Sequence, residues 1–127
     1  MMKNYIGTSG WSYGNWKEVF YPKDLRQTEW LAFFAKNLNS VEINSTFYAS
    51  PRISTIDKWY NTTPANFVFS IKAPQEITHN KRLVACENEL SFFLSDVERL
   101  GEKCGPILLQ LPASFTLDLD VLTEFLD

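Results

Sequence analysis

Histidine occurs once in this chain, at His79, and cysteine twice, at Cys86 and Cys104, 18 positions apart and with no CxxC pair. A structural zinc site needs three or four closely spaced thiolate or imidazole ligands, so none is composed here and the two cysteines read as buried free thiols. No apolar run approaches the roughly 18 residues that a membrane span requires. Residues 1–7 show no basic stretch followed by an apolar one, so the expectation is a cytoplasmic chain without membrane contact. In that setting Asn44-Ser45-Thr46 and Asn61-Thr62-Thr63 are chance matches to the glycosylation sequon. A surplus of positive charge is lacking too: 12 Lys and Arg against 15 Asp and Glu give a net charge of −3. That balance argues against strong non-specific binding to DNA or anionic membranes.

The charge is uneven. Residues 1–64 carry seven basic side chains against five acidic ones, and residues 65–127 carry five against ten. With 127 residues, 45% of them hydrophobic, the chain is long enough for one domain with a real core. It is short of the about 250 residues of a complete (β/α)8 barrel.

Short apolar, β-prone runs recur at residues 5–8, 40–43, 67–72 and 107–111 and predict strands. Helical patterns separate them. Residues 29–37 carry an apolar stripe at Trp30, Phe33 and Phe34, and Ser50-Pro51 reads as a cap and first residue of a helix reaching Tyr60. Residues 88–100 place Leu90, Phe93, Leu94, Val97 and Leu100 at helical spacing before Gly101, and residues 119–126 start a further helix capped by Asp118 or Asp120. Four β-α units in strict alternation imply a parallel sheet with right-handed crossovers.

Two architectures compete for this order. A doubly wound sheet usually carries a nucleotide motif after its first strand, but Gly7-Thr8-Ser9-Gly10-Trp11 is neither GxGxxG nor a P-loop. The strand faces favour half a barrel. Val41 and Ile43 oppose Glu42 and Asn44; Phe67, Phe69 and Ile71 oppose Val68, Ser70 and Lys72; Ile107, Leu109 and Leu111 oppose Leu108 and Gln110. One face is apolar for helices and the other turns polar toward the C-terminal ends, as a barrel lumen does where it opens into a site. The expected fold is therefore α/β, four βα units over residues 1–127 forming the N-terminal half of a TIM-type (β/α)8 barrel. Glu42, Asn44, Lys72 and Gln110 would point inward together.

Several longer motifs bring a family into view. Gly7-Thr8-Ser9-Gly10-Trp11-Ser12-Tyr13, Trp16, Phe20-Tyr21-Pro22 and Val41-Glu42-Ile43-Asn44-Ser45-Thr46-Phe47-Tyr48 closely resemble the opening of the YecE-like family, domain of unknown function 72. Further matches are Trp59, Pro64, the run Phe67-Val68-Phe69-Ser70-Ile71-Lys72-Ala73-Pro74, Thr78-His79, and Gly105-Pro106-Ile107-Leu108-Leu109-Gln110-Leu111-Pro112. The resemblance covers nearly the whole chain. It implies a (β/α)8 barrel related to those of xylose-isomerase-like and endonuclease-IV-like enzymes, of which this chain holds the first half. It implies no established activity.

Among residues able to carry chemistry, Glu42 and Lys72 form the strongest pair. A buried lysine near a strand end can transfer protons while a carboxylate orients it or acts as base, and it could also form a Schiff base. The alternative is a lumen ion pair that neutralises itself. His79 follows the third strand in a loop, residues 73–80, with Lys72, Lys81 and Arg82 around it, an arrangement suited to a general acid beside a phosphate-binding cluster. A lone histidine serves equally as a cap. One histidine with Glu42 falls short of a metal site, and no cofactor is assigned.

The first βα loop is aromatic, with Trp11, Tyr13, Trp16, Phe20 and Tyr21, and the second adds Phe47 and Tyr48. These rings could stack on sugars or bases, or fill the barrel mouth; the second reading is preferred because loops this long need a small core of their own. Ser9 and Ser12 lack the partners of a nucleophile, whereas the Gly7–Gly10 turn could present N–H groups to an anion. Ser9, Trp11, Tyr13, Asn44, Phe47, Tyr48 and Gln110 are thus the candidate substrate contacts.

The expected function is that of a TIM-barrel enzyme acting on a small phosphorylated or sugar-like substrate or on nucleic acid. A non-catalytic binding module with an aromatic, polar cleft is the alternative. Four strands leave two open edges, so the expected partner is a second copy or a missing C-terminal half.

Overall fold

The computed structural model describes residues 2–127. Four parallel strands, β1 (Gly7–Ser9), β2 (Ser40–Ile43), β3 (Val68–Lys72) and β4 (Cys104–Leu108), lie side by side in chain order. Helices α1 (Trp30–Asn37), α2 (Ile53–Thr62) and α3 (Glu87–Glu98) connect them, and α4 (Leu119–Leu126) follows β4. Sequential parallel strands joined by crossovers of one hand carry all three connecting helices on the same side. The sheet therefore has one covered face and one open face.

Alternation along β2 and β3 puts Val41, Ile43, Phe69 and Ile71 under the helices, each at most 1% exposed, while Glu42, Ser70 and Lys72 are half-buried on the other face. Helix α1 answers with Trp30, Leu31, Phe34 and Ala35, and α2 with Ile56 and Trp59, each a stripe at helical spacing. Helix α4 starts as read from the sequence: the Asp118 carboxylate accepts hydrogen bonds from the N–H groups of Asp120 at 3.1 Å and Val121 at 3.2 Å.

Three element starts move by two residues or more, each for a tertiary reason, and β4 also ends at Leu108 instead of 111. Strand β1 lies at 7–9 instead of 5–8, because a Cβ on Gly7 would sit 1.8 Å from the Ser40 carbonyl oxygen and only glycine lets β1 meet β2 there. Strand β4 starts at Cys104, three residues ahead of the expected 107. A Cβ on Gly105 would lie 2.5 Å from Val68 Cγ1 and 2.9 Å from the Phe69 carbonyl oxygen, so this glycine admits the close approach, and a register irregularity beside it absorbs Pro106. Helix α2 begins at Ile53 after an extended Arg52, not at Pro51, which instead lines a small apolar cavity with Ile56, Trp59 and Phe93. The predicted loop after β3 contains a π-helical turn, Glu76–Asn80, closed by Lys81 N–H donating to the Glu76 carbonyl at 2.9 Å.

One buried charge needs its own account. Lys103 is 4% exposed, and its ammonium donates to the carbonyls of Tyr60 at 2.5 Å and Thr63 at 2.7 Å and to Thr63 Oγ1 at 3.2 Å. All three N–H bonds are thereby used, and the cation sits on the carbonyls at the C-terminal end of α2, where the helix dipole is negative.

Candidate functional site

The C-terminal ends of β1, β2 and β3 bring Ser9, Glu42 and Ser70 into one row across the sheet, with Asn44 and Lys72 beyond them in the chain. Ser9 is the hub of this row. Its hydroxyl donates to Glu42 Oε1 at 3.5 Å and accepts a short hydrogen bond from Asn44 Nδ2. The other end of the Asn44 amide, Oδ1, is buried without a hydrogen-bond partner, although a buried carbonyl ordinarily has one.

Lys72 takes a different partner from the one its strand phase suggests. Its Nζ lies 4.1 Å from the centre of the Phe47 ring, in cation–π geometry, and no carboxylate oxygen lies within 4.0 Å of it among the described residues. The self-neutralising Glu42–Lys72 ion pair is therefore not formed. The cause is local: Ser45–Phe47 form a 3-10 turn directly after β2, and the buried Thr46 hydroxyl in it donates to the Lys72 carbonyl at 2.7 Å. That bond fixes Phe47 beside the lysine. Sequence reasoning did not single out Thr46, although it stands in the run Val41–Tyr48 that carried the family resemblance.

His79 reaches the same corner from the π-helical turn. Its ring packs edge-on against Phe47, centroids 5.0 Å apart at 83°, and its Nδ1 lies 2.8 Å from the hydroxyl of fully buried Thr78. Lys72, Phe47 and His79 thus form one stack. Beside it, a groove of about 210 Å³ runs between residues 46–50 and 74–80, lined by Phe47, Tyr48, Pro74 and Asn80 among others.

Other candidates are occupied elsewhere. Lys81 pairs with Glu89 at 2.6 Å, a hydrogen bond that raises the lysine pKa and lowers the carboxylate's. Arg82 donates to Ser114 Oγ at 3.1 Å and to its carbonyl at 3.0 Å. Both serve a loop in which Arg82, Leu83 and Ala85 adopt left-handed backbone at about 1–2 kcal/mol each, and Lys81 Nζ also holds the Ala85 carbonyl at 3.2 Å. The expected phosphate cluster of Lys72, Lys81 and Arg82 is not assembled. In the Gly7–Gly10 turn the Gly10 N–H is taken, donating to the Glu42 carbonyl at 2.9 Å. Gln110 lies beyond the end of β4 and is exposed.

The aromatic loop is mostly packing. Tyr21 is 1% exposed and stacks on Trp30 at 4.7 Å with nearly parallel rings, its hydroxyl donates to the Trp11 carbonyl, and burial pushes its phenol up to about 12. Trp11 meets Trp59 edge-on at 5.8 Å, and Tyr13 packs on Trp16 at 4.9 Å while its hydroxyl donates to the Ser9 carbonyl. Gln27 occupies Ser12 Oγ at 3.1 Å. Tyr48, 74% exposed, is the ring most open to a ligand. Both cysteines are free, Cys86 buried and Cys104 half-buried, and burial raises both thiols. No group of three or more His, Cys, Asp or Glu side chains that could hold a metal ion occurs among the described residues. No helix among them is long and apolar enough to cross a membrane.

Comparison with known proteins adds context to this geometry. Residues 5–127 match the model of a protein family described as "Protein of unknown function DUF72". The UPF0759 protein YecE of Escherichia coli K12 is 33% identical over 124 residues, 97% of this chain and 43% of the relative. The UPF0759 protein YunF of Bacillus subtilis is 33% identical over 78 residues, covering 61% of this chain and 27% of the relative. Among solved structures, a DUF72 family protein from Thermotoga maritima superposes with a TM-score of 0.79 at 30% identity, over 95% of this chain and 51% of that one. One from Enterococcus faecalis gives 0.73 at 22% identity over 96% and 44%, a likeness of fold alone. The chain spans about half the length of the relatives it matches.

Proposed function

The chain belongs to the DUF72 family of proteins of unknown function, and from that premise we propose that its open sheet face is half of the substrate site of a TIM-type barrel enzyme acting on a small phosphorylated or sugar-like molecule. The observation that carries this reading is Lys72: an ammonium group at a parallel strand's C-terminal end, half-buried like Glu42 of the adjacent strand, with no carboxylate oxygen within 4.0 Å among the described residues. Parallel α/β folds bind ligands at that end of their strands, where side chains from several strands converge. In this reading Lys72 takes the substrate's phosphate or carboxylate, Asn44 and Ser9 orient hydroxyl groups, and Glu42 and His79 exchange protons with the reacting carbon or oxygen. A stacking cleft for nucleic acid has less support, because Trp11, Phe20 and Tyr21 pack on other rings.

Calorimetric titration with a panel of sugar phosphates, the matching free sugars and a short oligonucleotide tests the assignment. At least one sugar phosphate is expected to bind, with Lys72→Ala weakening it about tenfold while the free sugar is little changed. Equal loss for both, or oligonucleotide binding that survives Lys72→Ala, counts against it.

A further inference from the structure

His79 is the one histidine of the sequence, and its Nδ1 lies 2.8 Å from the hydroxyl of Thr78, the residue before it. On an α-helix, side chains one residue apart do not face each other. Here the two meet within the π-helical turn Glu76–Asn80.

One proton decides what this contact does. Thr78 has a single O–H to donate, and two acceptors lie near it: Nδ1 at 2.8 Å and the Pro74 carbonyl at 3.4 Å. That carbonyl already accepts N–H bonds from Ile77 at 3.1 Å and from Thr78 at 3.3 Å, one for each lone pair. Thr78 is 0% exposed, so bulk solvent supplies no third acceptor.

A proton on Nδ1 would force the hydroxyl onto the longer contact, to a carbonyl whose lone pairs are taken. A histidine poised as a base ordinarily rests its Nδ1–H on a carboxylate or a carbonyl. No carboxylate oxygen lies within 4.0 Å of this imidazole among the described residues. Glu76, on the same turn, accepts instead from Asn80 Nδ2 at 2.6 Å.

We propose that Thr78 is a positioning residue: it donates its hydroxyl proton to Nδ1 and holds neutral His79 in the tautomer that carries its hydrogen on Nε2. Asn44 Oδ1 and Glu89 Oε2 are the only buried side-chain N or O atoms without a partner among the described residues, so Nε2, which has no partner among them, is open to solvent. The imidazole thus presents an N–H donor outward and keeps its lone pair inward. The consequence for function rests on the substrate-site reading above and narrows it. His79 hydrogen-bonds a substrate oxygen that carries or gains negative charge, and Glu42 is left as the group that accepts a proton. A fixed donor aimed at such an oxygen stabilises the charge without reorganising.

Because the chain has one histidine, imidazole nitrogen NMR reads this residue alone. At pH about 8.5, where an ordinary imidazole is neutral, the unliganded protein is expected to show Nε2 protonated and Nδ1 bare. Thr78→Val, which removes the hydroxyl, is expected to shift the tautomer ratio about tenfold toward Nδ1–H, and Thr78→Ser to restore it. Diethyl pyrocarbonate gives a second reading, since it acylates the imidazole nitrogen with a free lone pair. With that lone pair capped by Thr78, His79 is expected to react about tenfold more slowly than N-acetylhistidine, and Thr78→Val about tenfold faster than the unaltered chain. A proton found on Nδ1, a tautomer ratio unmoved in folded Thr78→Val, or acylation as fast as in N-acetylhistidine overturns the proposal. If Thr78→Val does not fold, the spectrum and reaction rate of the unaltered chain decide. A sugar phosphate that binds is expected to move the Nε2–H signal, and a complex that leaves it unmoved overturns the donor role. If no sugar phosphate binds, that role falls with the substrate-site reading, while the unliganded spectrum still decides the tautomer.

Discussion

The two faces of the sheet are built from the same strands and differ in every physical respect. Under the helices, Val41, Ile43, Phe69 and Ile71 are sealed from solvent and touch other apolar groups. One residue along, Glu42, Ser70 and Lys72 are half-buried, and Lys72 lies on an aromatic ring with no carboxylate oxygen within 4.0 Å among the described residues. Because side chains alternate at every residue, a five-residue strand divides its labour: one set of positions holds the fold and the other presents chemistry. A substitution should therefore matter to stability or to binding according to the parity of its position.

The largest expected effect tests that division directly. Phe69→Ala removes a ring that is 0% exposed and should cost about 3–5 kcal/mol in denaturant melts, whereas the neighbouring Ser70→Ala should stay within about 0.5 kcal/mol. Comparable losses at both would break the comparison. Lys103→Met asks whether a buried charge can belong to the structural side. It strips three hydrogen bonds from the end of α2 and leaves buried carbonyls unpaired, for an expected loss of about 1–3 kcal/mol. An unchanged melting midpoint would mean that those carbonyls find other partners.

Gly105→Ala should cost about 1–3 kcal/mol by pushing β4 off β3, read as a lower denaturation midpoint. The smallest effect is alkaline. The Tyr21 phenol is neutral in the fold until about 12, against 10.0 ordinarily, so between those values the unfolded chain loses a proton that the folded chain keeps. Stability from this group is complete below pH 10 and declines as pH rises through the folded value. Tyrosinate absorbance should show a late-titrating component that Tyr21→Phe reduces, the remainder coming from Tyr60, whose phenol is also raised by its hydrogen bond to Glu102.

Strand β2 at residues 40–43, helix α4 at 119–126 and the parity of Glu42, Ser70 and Lys72 were legible because each follows from a local period and a cap. The loop candidates were less so. Lys81 and Arg82 look like a basic cluster in one dimension, but Glu89 and Ser114, eight and 32 residues away, take them in three.

By itself, then, the sequence determined which residues alternate, where apolar stripes run and which helix carries its own cap, since these depend on neighbours within a few positions. Tertiary structure alone decided that Thr46 would tether Lys72 beside Phe47, that Asn44 would spend its amide N–H on Ser9, and that β4 would begin at Cys104. Each of those outcomes depends on the close approach of groups from different strands. Such contacts are set by the register of the sheet, and no local period encodes that register.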